Sequence, residues 1–504
     1  MPSSTALYLV AEIREIEQLA MAALPTNILM QRAGQAATQL ALTLIPDLHS
    51  AATVLIIAGP GNNGGDALEV ACLLAKAGAR VTVLLCAAGR HGPPDSQQAL
   101  DRARKSAVQF ADPTATSVHS SNWTLVVDGL FGIGLTRPIT GELRALVEAI
   151  NALACPVLAL DVPSGLDADT GAIVGEDGIA IRATHTVTFI ADKPGLHTFQ
   201  GRDYAGKVQV ADLDISIKYF KDTHAHLNSV ESFSGYVRRR PHNSHKGTYG
   251  DVIVIGGAHG MAGAPILAAR AAAKCGAGRV FAAFIDKPPA YDSMHPELMC
   301  RIASEMDFST ATLVAGPGLG MSRLSHDVLV RILHAPHSVV LDADALNLIA
   351  AEPNLQKILP QRNAPSLMTP HPLEAARLLQ QTTKSIQGDR LSAARRLAQQ
   401  FNAIVVLKGS GSVIARPDGE VIINTTGNPA LATAGTGDVL AGICGALLGQ
   451  NFPVWNAALA ATWLHGQAAD TLTSQGVGPI GLTASELIPC VRTLLNQLVD
   501  RTCP

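Results

Sequence analysis

The sequence predicts an α/β protein of two domains, each built on a mainly parallel sheet. The chain has 504 residues, which is more than one domain usually holds. Hydrophobic residues make up 47% of it, enough to bury two sizeable cores. Short apolar runs alternate along the whole chain with glycine-rich turns and helical stretches, and this alternation is typical of parallel sheets covered by helices.

The first half contains one clear βαβ unit. The run Thr53–Ala58 predicts a buried strand, 59–66 a polar glycine loop, 67–78 a helix and 81–86 a second strand. That order is typical of a doubly wound sheet, in which ligands bind beyond the carboxyl ends of the strands. We therefore expect the loop to contact a phosphate, although it lacks the GxGxxG pattern; a plain turn is the alternative. Two helices are predicted before this unit, over 11–18 and 27–44.

Polar side chains follow two more predicted strands of this half. One strand ends at Asp128, and the next ends at Asp161, shortly before Ser164. If the sheet is parallel, these groups converge with Asn63 at one edge, where their oxygens could hold a monovalent cation or an acid–base group. The alternatives are a strand-end cap for Asp128 and a turn residue before Pro163 for Asp161.

The second half repeats the alternation after a polar stretch, 216–234, where we place the domain junction. Strand-like runs each end in a polar or glycine-rich turn. The predicted strands are 251–256, 279–284, 311–315, 339–342, 366–371 and 404–408, with a hairpin partner at 419–424.

The most informative stretch of this half is 424–448. Gly435, Thr436, Gly437 and Asp438 precede an apolar run that predicts a buried helix. A helix N-terminus fed by glycines favours a phosphate, and a carboxylate there can take the proton of a hydroxyl that attacks phosphorus. Lys408 could meet the same phosphate as a point charge. The alternative is an Asp cap with two turn glycines.

Composition excludes several classes of function. The net charge is −3, aromatic residues are few, and no basic block suggests nucleic-acid binding. The eight cysteines form no CxxC pair and indicate reduced residues of a cytoplasmic protein. We expect no signal peptide, because the N-terminus lacks an apolar core, and no membrane-spanning run.

Three motifs of the first half, AGPGNNGGDALEVA, DGLFGIGLTRPI and LDVPSGLDADTG, resemble the epimerase half of the NAD(P)H-hydrate repair enzymes over about residues 10–215. The resemblance implies a Rossmann-like sheet, Asp161 as the acid–base group, and potassium at Asn63, Asp128 and Ser164. Ala67 stands where the family usually has glycine, and we expect its methyl group to crowd the ligand slightly. The implied hydrate-binding residues are Asn62, Asn63, Gly64, Gly65, Asp66, Gly132, Ile133, Gly134, Leu135, Thr136, Arg137, Pro138 and Asp161.

The second half is similar to the dehydratase half of the same enzymes, which has a ribokinase-like α/β fold. The motifs NSHKGTYG, GPGLG, LDADALN, TPHPLEAARLL, VLKGSGSVI and GNPALATAGTGDVLAG carry this resemblance over about residues 235–490. Leu373 replaces the usual glycine, and His371 has an alternative role as a helix cap. The resemblance implies adenine nucleotide at Lys408, Gly409, Ser410, Gly411, Ser412 and Gly437, and the hydrate at Ala264, Gly320, His371 and Asp438.

Together the resemblances imply repair of NADH and NADPH that carry water at C6 of the nicotinamide ring. Residues 1–225 would interconvert the R and S hydrates. Residues 226–504 would phosphorylate the C6 hydroxyl of the S form with ADP or ATP, using Asp438 as base and the 435–437 N–H groups as an anion hole, after which phosphate leaves. The implied cofactors are K⁺ and Mg²⁺, and the small-molecule partners are NADHX, NADPHX and ADP or ATP. We also expect a homo-oligomer that binds neither nucleic acid nor membrane.

Two other functions stay open at this point. A small-molecule kinase of the ribokinase type would release a stable phosphorylated product. A non-catalytic binding module would not turn over a substrate at all, although the presence of Asp128 and Asp161 speaks against it.

Overall fold

The computed structural model describes residues 5–45, 52–86 and 92–502. It divides into two compact units, Met1–His226 and Leu227–Pro504. Cys503, one of the cysteines expected to be reduced, lies outside the described residues.

The first unit is built on a parallel sheet that contains seven strands in the described part of the chain, in the order β3-β2-β1-β4-β5-β6-β7. Because the chain starts in the middle and winds outward both ways, the predicted doubly wound sheet is confirmed. The strands are β1 Thr53–Ala58, β2 Arg80–Leu85, β3 Gln109–Ala111, β4 Leu125–Gly129, β5 Val157–Leu160, β6 His185–Phe189 and β7 Lys207–Ala211.

Helices cover both faces of this sheet. Alternate residues of β1 point into opposite cores, with Val54 and Ile56 on one side and Leu55 and Ile57 on the other, as the two-residue period of a strand requires. A strand buried on both faces explains why its sequence is apolar throughout. The helices are α1 Val10–Met21, α2 Ile28–Leu44, α3 Asn62–Lys76, α4 Pro94–Arg104, α5 Ala115–Val118, α6 Gly141–Asn151 and α7 Gly201–Tyr204.

Helix α3 begins at Asn62, so the prediction of a loop up to residue 66 was wrong. Gly61 is the extended N-cap residue, and Gly65 donates its N–H to the Gly61 carbonyl oxygen at 3.2 Å. Glycine and asparagine disfavour helix interiors but are tolerated in the first turn, whose N–H groups have no partner within the helix. The predicted phosphate loop is therefore largely a helix N-terminus.

The second unit is built on a larger mixed sheet, with ten strands among the described residues, in the order β11-β10-β9-β12-β13-β14-β15-β16-β17-β8. Neighbours are parallel from β11 to β15 and antiparallel from β15 to β17, so an α/β domain is confirmed. The strands are β8 Ala225–Leu227, which crosses the division between the units, β9 Asp251–Gly256, β10 Arg279–Phe284, β11 Met299–Ile302, β12 Thr312–Ala315, β13 Val339–Leu341, β14 Ser366–Met368, β15 Ile404–Leu407, β16 Ser412–Ala415 and β17 Val421–Asn424.

The helix predicted from the apolar run at 439–448 is confirmed as α15, which begins three residues earlier. Every residue from Val439 to Gly449 is buried. No helix in the described ranges is both long and apolar enough to span a membrane. The helices of this unit are α8 Gly263–Lys274, α9 Arg323–His334, α10 Ala343–Ala351, α11 Pro353–Ile358, α12 Pro372–Leu379, α13 Thr383–Gly388, α14 Arg390–Phe401, α15 Thr436–Gly449, α16 Val454–Ser474 and α17 Ala484–Thr502.

The junction stretch, 216–234, is more ordered than its polar sequence suggests. The Thr223 hydroxyl donates to the Leu7 carbonyl oxygen at 2.6 Å within the first unit, and Asn228 donates to Asn424 at 3.0 Å within the second. Phe233 is buried in the core of the second unit. Its polar side chains therefore find partners in the unit on their own side of the division.

Candidate active sites

A cavity of about 840 Å³ opens in the first unit beyond the carboxyl ends of β1, β4 and β5. Its wall combines the N-terminal turn of α3, the segment that follows β4, and one face of α1. The predicted hydrate-binding residues that line it are Asn62, Asn63, Asp66, Gly132, Ile133, Gly134, Leu135, Thr136, Arg137, Pro138 and Asp161.

Gly64 and Gly65, also predicted to bind the hydrate, are buried and do not line this cavity. A Cβ on Gly64 would lie 1.9 Å from the Gly59 carbonyl oxygen, and one on Gly65 would lie 2.5 Å from Cε of Met30. These glycines let α3 pack closely on its neighbours. Ala67 does not line the cavity either: it is buried, and its methyl group faces Gly129, so the expected crowding of the ligand does not occur.

Asp161 is held by a lysine that sequence reasoning missed. The fully buried Nζ of Lys193 lies 2.9 Å from Oδ1 of Asp161. The same ammonium donates to the hydroxyl of Thr188 at 2.6 Å and to the carbonyl oxygens of Phe189 and Ala191 at 3.0 and 3.1 Å. A buried charge needs such partners, and here they fix the carboxylate at the sheet edge.

The second oxygen of Asp161, Oδ2, lies on the cavity side of this pair. The N–H of Ile133 approaches Oδ2 at 3.4 Å, and a Cβ on Gly132 would lie only 3.1 Å from it. Asp161 itself has a left-handed φ of 65°, which is uncommon for a non-glycine residue. Lys193 thus binds one oxygen of the Asp161 carboxylate, while the other oxygen faces the space where a ligand would lie.

Asp128, Ser164 and Asn63 meet at the same edge, as the sequence predicted. Oδ1 of Asp128 accepts from the Ser164 hydroxyl at 2.6 Å, and Oδ2 accepts from the Ser164 N–H at 2.8 Å. Burial raises the pKa of Asp128 to about 6. Nδ2 of Asn63 donates to the Leu160 carbonyl oxygen at 3.1 Å, whereas its buried Oδ1 has no hydrogen-bond partner among the described residues. An orphaned, buried amide oxygen suits a hard cation.

Two further carboxyl groups line the cavity from other elements. Burial, together with the negative charges of Asp161 and Glu17, raises the pKa of Asp66 well above its usual value. Burial and Asp161 likewise raise the pKa of Glu17 on α1. Both shifts favour the neutral forms of Asp66 and Glu17.

In the second unit, a buried ion pair lies against the first turn of α15. Nζ of Lys408 is 2.6 Å from Oδ1 of Asp342, which also accepts from the Thr369 hydroxyl at 2.9 Å. A Cβ on Gly437 would lie 3.4 Å from Nζ of Lys408 and 3.8 Å from Oδ2 of Asp342. Lys408, predicted as a point charge for phosphate, is thus placed beside Gly437 but bonded to a carboxylate.

Asp438 lies in that first helical turn. The helix is entered through Gly435, whose left-handed φ of 88° only glycine adopts readily. Burial raises the pKa of Asp438 to about 6; the carboxylates of Asp342 and Asp344 add to the rise, and Lys408 opposes it. The site thus holds a carboxyl group that titrates near neutrality at a helix N-terminus.

His371 caps α12, which confirms the capping role considered for it. Its Nδ1 accepts from the N–H groups of Leu373 and Glu374 at 3.1 and 3.2 Å, and its Nε2 lies 3.2 Å from Oε1 of Glu374. Burial lowers the pKa of His371 and raises that of Glu374 to about 7. A contact between His371 and a ligand stays a prediction.

The two remaining predicted hydrate contacts lie in the turn after β12 and at the start of α8. Gly320 donates its N–H to Oδ2 of Asp344 at 2.9 Å. Ala264, in the first turn of α8, lies 3.4 Å from where a Cβ on Gly318 would be. The turn after β12 and the start of α8 therefore form one wall next to Asp344.

The predicted nucleotide loop, 408–412, is organised by a buried arginine. Arg390 opens α14 and donates to the carbonyl oxygens of Leu407 and Lys408 at 3.1 and 3.2 Å. Burial lowers the pKa of Arg390 to about 10. The loop carbonyls therefore turn inward toward the guanidinium group.

Comparison with known proteins covers nearly the whole chain. A family model described as NAD(P)H-hydrate dehydratase matches residues 252–490, and one described as YjeF-related protein N-terminus matches residues 26–195. A bifunctional NAD(P)H-hydrate repair enzyme of Coxiella burnetii is 37% identical over 98% of this chain and all of its own length. The chain belongs to the bifunctional NAD(P)H-hydrate repair enzymes.

Other members of this family are similar over comparable lengths. The Escherichia coli enzyme is 37% identical over 94% of this chain and 90% of its own, and the Leishmania braziliensis enzyme is 35% identical over 97% and 93%. Among solved structures, the ADP/ATP-dependent NAD(P)H-hydrate dehydratase from Bacillus subtilis is 29% identical, covers 54% of this chain and 98% of its own, and has a TM-score of 0.48.

Three side chains of the two candidate sites were not predicted from the sequence. Lys193 and Arg390 carry no local pattern, because their burial is decided by distant parts of the chain. Asp342 did carry a signal: it follows a predicted strand in the same way as Asp128 and Asp161, and that position alone could have marked it.

Proposed function

We propose that this chain repairs hydrated NADH and NADPH, with the epimerase site in residues 1–225 and the nucleotide-dependent dehydratase site in residues 226–504. The observation that carries this proposal is Asp438, a carboxyl group with a pKa of about 6 in the first turn of α15. A carboxyl base at the N-terminus of a helix is an arrangement that suits transfer of phosphate to a hydroxyl.

In the first unit, Asp161 would act on the C6 hydroxyl of the hydrate. Its cavity-side oxygen, Oδ2, takes the hydroxyl proton while the bond between C6 and the ring nitrogen breaks, and the nitrogen gains a proton. The product is an open aldehyde. Rotation about the bond between C5 and C6 and closure on the other face give the opposite epimer. The ion pair with Lys193 at 2.9 Å supports this role, because it keeps the carboxylate oriented.

Potassium fits the oxygens of Asn63, Asp128 and Ser164, because Oδ1 of Asn63 is buried and lacks a partner in the described part of the chain. When bound, it would supply a positive charge that stabilises this edge of the cavity.

In the second unit, Asp438 would accept the C6 hydroxyl proton as that oxygen attacks the terminal phosphorus of ADP or ATP. AMP or ADP departs, and the N–H groups of Gly435 and Gly437 would face the transferred phosphoryl group, whereas that of Thr436 donates to the Thr433 carbonyl oxygen at 3.4 Å. Phosphate then leaves with the electron pair of the carbon–oxygen bond, helped by the ring nitrogen lone pair. Loss of a proton from C5 restores the reduced ring. Mg²⁺ on the nucleotide phosphates would supply further positive charge.

We assign the nucleotide to Lys408, Gly409, Ser410, Gly411, Ser412 and Gly437, and the hydrate to Ala264, Gly320, His371 and Asp438. Supporting this, Gly437 lies in the first turn of α15, and a Cβ on it would lie 3.4 Å from Nζ of Lys408. The Arg390 guanidinium also binds the carbonyl oxygens of Leu407 and Lys408 at 3.1 and 3.2 Å, which orders the start of the 408–412 loop.

Incubation with mixed R and S NADHX tests the proposal. With ADP or ATP, the absorbance of the reduced ring should recover fully, with one AMP or ADP formed per NADH. A stable phosphorylated product would instead favour a small-molecule kinase, and no turnover would favour a binding module. Light scattering would test the expected homo-oligomer.

A further inference from the structure

The dehydratase site contains more carboxyl groups than cations. Asp342 and Asp344 follow β13, Glu374 opens α12 and Asp438 opens α15, and all four act electrostatically on one another or on Lys408. Two histidines, His371 and His465, also face Lys408; burial lowers the pKa of both, that of His465 to about 4. Near neutral pH, Lys408 is therefore the one cation among these groups.

Within the part of the chain that the structure describes, the ammonium of Lys408 has one hydrogen bond, and its partner is Asp342. The carboxylate is almost fully buried, takes the ammonium at 2.6 Å and is fixed on its other side by the Thr369 hydroxyl. Burial alone lowers the pKa of Lys408, but Asp342 and Glu374 outweigh it and the net shift is upward, so the lysine stays charged. The charged pair then lies directly beneath the turn that bears Asp438.

We propose that Asp342 is a positioning residue, which holds the ammonium of Lys408 against the first turn of α15 so that the pair sets the pH range in which Asp438 acts as a base. The role rests on the proposed dehydratase function. Within the pair, the carboxylate disfavours ionisation of Asp438 and the ammonium favours it. The two members therefore have opposite effects on the same titration.

Substitutions of the two partners test this inference through opposite shifts. Asp342→Asn removes the negative charge of the pair, so the pKa of Asp438 should fall by about one unit. Lys408→Gln removes the cation, so that pKa should rise by a similar amount. Lys408→Arg keeps the charge and should leave it near the wild-type value. Glu352→Gln, which changes an exposed carboxylate after α10, is the matched control.

The readout is the Asp438 carboxyl signal in ¹³C NMR of the labelled full chain, assigned by its loss in Asp438→Asn. This titration does not depend on turnover. The acid limb of the pH dependence of kcat/KM for dehydration should move with it. If wild type does not dehydrate the hydrate, the proposed function fails while the NMR shifts still decide the inference.

A purely structural ion pair predicts a different result. Asp342→Asn and Lys408→Gln would then lower stability and rate without moving the Asp438 titration, or would move it in the same direction. Either outcome overturns the proposal. Thermal unfolding will show whether Asp342→Asn folds. If it does not, the proposal is tested by whether the pKa of Asp438 rises in Lys408→Gln and stays near the wild-type value in Lys408→Arg.

Discussion

Each unit buries a lysine–aspartate pair beyond the carboxyl ends of its parallel strands, yet the pairs are used differently. In the first unit, the aspartate of the pair, Asp161, lines the cavity itself, and Lys193 stands behind it. In the second unit, the ion pair of Lys408 and Asp342 lies next to the first turn of α15. A separate carboxyl group, Asp438, occupies that turn.

If Asp161 and Asp438 act as we propose, the difference matches the charge that each reaction handles. Epimerisation moves a proton and re-forms a bond within one molecule, so a single oriented carboxylate can serve. Phosphoryl transfer brings additional negative charge to the base, and positive charge must then lie close by without neutralising the base. A pair that is separate from the base provides this arrangement.

The largest expected effect comes from removing the separate base. In Asp438→Asn, nucleotide-dependent dehydration should fall by a factor on the order of 10²–10⁴, because an amide cannot accept the hydroxyl proton. Epimerisation should persist. Absorbance of the reduced ring measures the first activity, and Asp418→Asn, an exposed carboxylate in the 416–420 turn, is the control. Near wild-type kcat would remove Asp438 from the mechanism.

The converse substitution is Asp161→Asn in the first unit. Epimerisation should fall by a factor on the order of 10² or more, while dehydration of the S hydrate continues. Chromatography of the epimers in the absence of nucleotide measures the rate of epimerisation. A reaction without enzyme is the reference, because the hydrate can epimerise unaided. Asp203→Asn, which is exposed on α7, should behave as wild type. A wild-type rate in Asp161→Asn would contradict the assignment.

The third prediction concerns the partner in the first pair. Lys193→Met leaves Asp161 without its buried counter-ion and should cost about 3–5 kcal/mol of unfolding free energy. Chemical denaturation measures the loss. Lys207→Met removes an exposed lysine of β7 and should change stability little. If the two variants are equally stable, the buried pair does not support the fold.

A smaller effect on the rate of dehydration should come from lowering the pH. Asp438 must be ionised to act, and its pKa is about 6, so kcat/KM for dehydration should be level above that pH and fall about tenfold for each unit below it. A pH series with saturating nucleotide measures this limb. If kcat/KM began to fall only near pH 4, burial would not raise the pKa of the carboxyl group that acts as the base.

The smallest effect, a factor of two, should come from separating the units. We expect fragments 1–225 and 228–504 each to fold, because each unit has its own sheet and core. The second fragment should convert about half of an epimer mixture, since it uses one epimer only, and adding the first should complete the conversion. A folded second fragment that is inert alone would show that a site is shared.

Strands were the most predictable part of this fold. Thr53–Ala58 and Asp251–Gly256 were predicted with their observed bounds, because residues buried on both faces of a parallel sheet form an uninterrupted apolar run. The start of α3 was missed because glycine and asparagine obscure a helical turn. The ordered junction was missed because hydrogen bonds from Thr223 and Asn228 depend on residues far away in sequence.

The candidate sites were predictable where a side chain follows a strand. Asp128, Asp161 and Ser164 lie where the parallel topology places them, and Asp438 lies in the predicted helix turn. The same topology does not say which lysine will be buried beside an acid. Lys193 and Lys408 became ion-pair partners through tertiary packing, which no local pattern records.

Arg390 and Gly409 constrain each other's evolution. A Cβ on Gly409 would lie 2.9 Å from Nη1 of Arg390, and the loop carbonyl groups depend on that guanidinium for their hydrogen bonds. A larger residue at 409 would have to displace the arginine, and a smaller residue at 390 would leave buried carbonyl groups unpaired. Across related sequences, the two positions should therefore be inherited together, and a lineage that changes one should show a compensating change at the other.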